Sequence, residues 1–235
     1  MKNTLVLLLA VVGLIWLGPL AAPVDAQAQQ KPVVKIPEPG VPQIMTLEGA
    51  YVRAAYNNEG YAILGYRLAN QSVGQESMLL EFGTTLRAGV PDYTLTRDLV
   101  SIETPDGKTI PLLSLSDYRK GDMRSLERQA TVTKDSINYF PPTASRACRI
   151  GFFAELGSPA RAYDQVDLTP QHACLGRLFF QVPGGIQYGQ HWLNVKFKNS
   201  LVRVPFRILT KEEEKLLSKN LKDIQKQVKD AFTKK

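Results

Sequence analysis

The side chains suited to nucleophilic, acid–base or soft-metal chemistry are scarce in this chain, which holds two cysteines and two histidines. Cys148 lies in Arg146-Ala147-Cys148-Arg149-Ile150-Gly151-Phe152-Phe153, and Cys174 in His172-Ala173-Cys174-Leu175-Gly176-Arg177-Leu178-Phe179-Phe180. That is too few ligands for an all-cysteine iron–sulfur cluster or a His-rich metal centre. Each cysteine opens a segment containing Phe-Phe, which predicts equivalent places on adjacent or facing strands. In an exported chain, an even and minimal cysteine count is most economically read as one disulfide, Cys148 to Cys174. Closing that loop would stabilise the fold by roughly 3–4 kcal/mol by restricting the unfolded chain.

A rival reading makes Cys174 a nucleophile activated by His172, since residues two apart on a strand share a face. Cell-wall L,D-transpeptidases carry Ser/Thr-His-Gly-Cys with a further histidine upstream. Here Gln171 and Ala173 replace the hydroxyl residue and the glycine, and no histidine precedes His172. The chain also lacks G-x-S-x-G, S-x-x-K, H-E-x-x-H and phosphate-loop patterns. Asp164 and Asp167 lack further ligands in register for calcium. His191, beside Trp192, reads as structural. No cofactor or metal site is expected, and an enzymatic role stays open only through Cys174.

Charge supplies the other candidate. The net charge is +7 and the isoelectric point about 9.4, which favours anionic surroundings. Lys196, Lys198, Arg203 and Arg207 fall on the outward side of a hairpin if the alternation around them holds, forming an anion-binding face. Between Ser114 and Arg146, acidic and basic residues nearly balance, as on a solvated face, so nucleic acid is not an expected partner.

These residues need strands to position them. From Leu47 to Leu209 the apolar pattern has mostly period two, broken by Gly, Pro and Asn clusters. Ala62, Leu64, Tyr66 and Leu68 share a strand face, and Met78, Leu80 and Phe82 continue on the next strand. Asp106-Gly107 turns a hairpin between Val100–Ile102 and Ile110–Leu112. Leu193, Val195 and Phe197 pair across Asn199-Ser200 with Val202, Val204, Phe206 and Ile208. Pro205 has no amide donor, which puts that last strand at an edge or bulge. The segment 114–145 reads as an insertion, with Ser116 capping a helix from Asp117 towards Gln129 and Tyr139-Phe140-Pro141-Pro142 bringing the chain back. Thr210 and Glu213 have capping-box spacing ahead of a C-terminal amphipathic helix over 210–235. Leu217, Leu221, Ile224, Val228 and Ala231 form its apolar seam, lying on the domain or pairing in a short coiled-coil dimer.

The N-terminus sets the compartment. Lys2, the apolar run Leu5–Leu17 and the small residues after Pro19 make a signal peptide over 1–26, cut after Ala26 or, alternatively, Ala28. The other reading is an uncleaved anchor leaving the domain tethered to the membrane. A Pro-rich spacer follows over 27–44, then a β domain over 45–209. The protein is expected to be periplasmic or extracellular.

Several short strands without strand–helix alternation predict an all-β, antiparallel sandwich. The stretch Glu48–Leu113, with GYAILGYRLANQS, ESMLLEFGTTLR and the PDGK hairpin, resembles immunoglobulin-like modules of secreted bacterial proteins. The mature chain also resembles secreted bacterial proteins of uncharacterised role, which implies fold and compartment but no activity. The expected function is a non-enzymatic envelope module that engages a protein partner or serves structurally. The alternative is binding of an anionic envelope polymer or lipid headgroup through the basic face.

Overall fold

The computed structural model describes residues 44–121, 123–154 and 161–233; the expected signal peptide and all but the last residue of the spacer lie outside them. Twelve strands are found there: β1 (Ile44–Gly49), β2 (Val52–Tyr56), β3 (Gly60–Gly65), β4 (Ser77–Leu86), β5 (Tyr93–Thr96), β6 (Val100–Glu103), β7 (Thr109–Pro111), β8 (Arg146–Ile150), β9 (Gln165–Leu168), β10 (His172–Gln181), β11 (Gly189–Lys196) and β12 (Leu201–Ile208). Helices α1 (Arg67–Gln71), α2 (Leu115–Lys120), α3 (Arg124–Val132) and α4 (Lys211–Thr233) interrupt or follow them. The strands form a six-stranded sheet, β1-β2-β3-β4-β10-β8, a four-stranded sheet, β12-β11-β6-β7, and a β5-β9 pair. The fold is mostly β, with predominantly antiparallel pairing, as the periodicity predicts.

Both large sheets turn apolar faces into one core. Leu64, Leu80, Phe82 and Phe180 from the first meet Val100, Leu193, Val204 and Phe206 from the second in a single buried cluster. Gly60 has a local reason: a Cβ there would lie 2.4 Å from the Phe197 ring. The β6–β7 hairpin turns at Gly107, whose φ of 81° needs no Cβ. β12 is an edge strand, consistent with Pro205.

The other face of the six-stranded sheet is also covered, which explains the continuous run Met78-Leu79-Leu80. The segment after β7 lies across it. Ile137 packs with Val52, Ala54 and Ile63, Phe140 packs against the same group, and a Cβ on Gly83 would meet the Phe140 ring at 2.8 Å. Tyr139, by contrast, is 40% exposed and its hydroxyl donates to the Glu48 carbonyl.

Three expectations change in detail. The strand through Leu68 stops at Gly65, and Arg67–Gln71 coils into α1, burying Leu68 and Ala69. The single helix from Asp117 to Gln129 is two helices, broken at Gly121, and the cap is Ser114, whose hydroxyl accepts the Asp117 amide at 3.1 Å. Finally, β8 runs parallel to β10, so the six-stranded sheet is mixed.

Candidate functional site

The parallel pairing of β8 with β10 sets Cys148 opposite Cys174 and Arg149 opposite Leu175. The sulfurs are 2.21 Å apart and the Cα atoms 4.1 Å apart, the expected disulfide. Cys174 faces the core and is fully buried. Gly176 permits the close approach, since a Cβ there would lie 2.5 Å from the Ile150 carbonyl oxygen. The two cysteine-bearing segments therefore lie side by side, and their next residues face the opposite side of the sheet.

On that side a cleft of about 230 Å³ opens between β10, β8 and the covering segment. Phe153, Leu175 and Phe179 give it an apolar floor, and Leu175 is 37% exposed. Phe153 and Phe179 are fixed by Tyr118, all three rings lying within 5.0 Å of one another, centroid to centroid. Tyr118 donates to Glu127 at 2.5 Å, which engages one of the carboxylates of the cleft. Arg97 lies over the Phe153 ring and donates to the carbonyls of Leu113 and Phe152, tying the insertion to the chain after β8.

Lys134, Arg149 and Arg177 bring positive charge to the rim. Arg149 stands directly opposite Leu175 and Arg177 two residues along β10 from it, so the two arginines are diagonal neighbours on one sheet face, within reach for long side chains. Glu81, directly across the ladder from Arg177, is the second acid. Burial pushes its carboxyl up to about 6, reinforced by the Asp135 charge and opposed by the Asp135 amide, Lys134 and Arg177. Its Oε2 accepts that amide at 2.9 Å. Asp135 in turn pairs with Arg67 at 2.8 Å.

On the predicted basic face the fold pairs two of the four cations with acids. Lys196 and Lys198 are exposed, Lys198 in the β11–β12 turn. Arg203 stacks 4.8 Å from the buried Trp192 ring and pairs with Glu103, while Arg207 pairs with Glu213 at 2.7 Å. Arg207 also borders a second groove of about 420 Å³, with Met45, Ala54, Pro205 and Phe206, between edge strands β1 and β12.

The remaining candidates are dispersed. His172 Nδ1 lies 3.1 Å from the Thr169 hydroxyl, and the sulfur it was read against is bonded to Cys148. His191 is fully buried against Phe206, and burial pulls its pKa down to about 4. Asp167 accepts from Thr94, and Asp164 stands 3.9 Å from Arg97. Among the described residues no cluster of three or more His, Cys, Asp or Glu is placed to hold a metal ion, and no helix is long and apolar enough to cross a membrane.

In the sequence Arg149 and Arg177 stand near the cysteines with no local signal of a role. Period-two alternation already separates each from its cysteine's face; which strands pair, and in which direction, was the missing information. No family model, curated protein or solved structure matches the chain.

Proposed function

We propose that this protein is an exported, non-enzymatic envelope module, with an immunoglobulin-like sandwich that carries helix α4 to a protein partner. Export is supported by the apolar N-terminal run and by a cysteine pair at disulfide distance, a bond that persists in oxidising compartments. The sandwich reading, and the likeness to secreted bacterial modules, rest on two sheets sharing one core; the parallel β8 is a departure from the regular form.

The observation that carries the partner reading is how α4 leaves the domain. Its first turn is rooted by a reciprocal capping box, Thr210 with Glu213, and by Tyr51 and Asn70 donating to Glu214 at 2.5 and 2.9 Å. Beyond that turn Leu216 is 59% exposed, Lys215, Ser218, Lys219, Asn220, Lys222 and Asp223 are exposed, and Leu217 and Leu221 are only half-buried. At 100° per residue, Ser218 and Asn220 flank the seam at Leu217 and Leu221, and Lys215, Lys219 and Lys222 lie opposite it. A lipid-surface helix places lysines beside its apolar stripe, where they snorkel, so this pattern favours a protein surface.

The test places a photo-crosslinking residue at Leu216 in the exported protein. A discrete crosslinked species in the envelope, lost in Leu217→Asp/Leu221→Asp with the thermal melt of the domain unchanged, is expected. Its mass reads out a second copy or a different protein. Crosslinks to lipid alone, or none, overturn the reading.

A further inference from the structure

We propose that the cleft beside the disulfide binds a small amphiphilic anion, its carboxylate or phosphate head between Arg149, Arg177 and Lys134 and its apolar body on Phe153, Leu175 and Phe179. This is independent of α4 and of the partner reading.

Shape limits the ligand. About 230 Å³ holds roughly eight water-sized groups, less than a whole drug-sized ligand occupies. A short chain with one head fits, and so does the end of a longer lipid. The floor is aromatic and aliphatic, so an inorganic anion alone would leave apolar surface wet.

Charge selects the sign. Among the described residues three cations border the cleft against two carboxylates, and both of those carboxylates already have partners: Glu127 the Tyr118 hydroxyl, Glu81 the Asp135 amide. Arg177 is half-buried and makes no hydrogen bond or ion pair among the described residues, acting on Glu81 only through space. A guanidinium there offers a planar pair of donors suited to a carboxylate or phosphate. Below about pH 6 Glu81 takes up a proton, which further reduces the negative charge an incoming anion meets there.

The architecture holds the wall in place. β8, which contributes Arg149 and Ile150, is the last strand of the six-stranded sheet, and the disulfide pins it to β10. A covalent tie at a cleft wall preserves the spacing of the two arginines.

Titration calorimetry on the exported protein, at low and high salt, tests this with octanoate and octyl phosphate. Inorganic phosphate and octyltrimethylammonium serve as controls. One saturable site per chain is expected for at least one amphiphilic anion, weaker at high salt; the tighter of the two identifies the head. Arg177→Gln is expected to weaken it by about tenfold or more, the loss of one charge-assisted hydrogen bond, and Lys196→Gln to leave it unchanged. Amide shifts on binding should centre on Ile150 and Gly176, which reports on the site even if a variant folds poorly. The proposal is overturned if neither anion saturates, if Arg177→Gln binds as wild type does, or if either control binds as tightly.

Discussion

Glu81 and Asp135 are joined by a single hydrogen bond, the Asp135 amide donating to Glu81 Oε2 at 2.9 Å, across a sequence separation of 54. That bond ties the covering segment to the centre of the six-stranded sheet, and it places an ionisable carboxyl where solvation is poor. Burial pushes the Glu81 pKa up to about 6, so the folded state binds its proton more tightly than the unfolded chain does. Its contribution is fully present below the unfolded carboxylate range and is lost as pH rises through about 6. Glu81→Gln keeps an acceptor for the amide and removes the charge. It is expected to stabilise the protein by about 1–2 kcal/mol above pH 7, and by little below pH 4, in urea melts. Equal effects at both pH values would show that the charge is not what matters.

His191 has the opposite sign. Burial holds its pKa at about 4, below the unfolded value, so only the unfolded chain takes up a proton as pH first falls. Stability is intact above the ordinary histidine range and declines as pH falls towards about 4, in total by about 3 kcal/mol. His191→Phe preserves a ring against Phe206 and removes the titration. Its stability relative to wild type should therefore rise across that window, read from denaturant midpoints at successive pH values. Parallel curves would mean that the imidazole is solvated in the native state.

The disulfide predicts non-additivity. Cys148→Ser and Cys174→Ser should each cost about 3–4 kcal/mol under oxidising conditions, and the double variant no more than about either alone. One bond is lost in every case, although Cys174, fully buried, adds a small packing penalty. Thermal melts of the three variants, with thiol counts on unfolded wild type, check this. Two free thiols in protein taken from its native compartment would refute the bridge and reopen Cys174 as a reactive group.

Arg203 illustrates why a cation in an outward strand pattern need not be a ligand site. It donates to Asn194 at 3.1 Å, pairs with Glu103 and covers Trp192. Arg203→Ala leaves Glu103 without that partner and uncovers the indole, and about 2–4 kcal/mol of lost stability is expected. Arg203→Lys loses the planar stack and should fall between. Arg203→Met/Glu103→Leu should recover most of the loss, and a double-mutant cycle from chemical melts measures the coupling. Full additivity would show that the pair is merely adjacent.

Local signals in the sequence determined the elements whose cause is local. The Asp106-Gly107 turn, the β11–β12 hairpin and the Thr210–Glu213 capping box are set by residues within a few positions of one another, and each occurs where read. The cysteine pairing was legible because two cysteines allow one intramolecular bond. Tertiary structure decided what depends on distant chain. Leu79 and Phe179 broke the alternation because 114–145 covers their face, and burial on both faces cannot be assigned before the cover is known. Arg203 and Arg207 lost their place on a basic face because Glu103 and Glu213 were brought to them by packing and by the capping turn. Arg149 meets Leu175 and Arg177 at the cleft because β8 pairs parallel with β10 in that register, which the sequence pattern does not carry, since side-chain alternation is the same whichever way a strand runs.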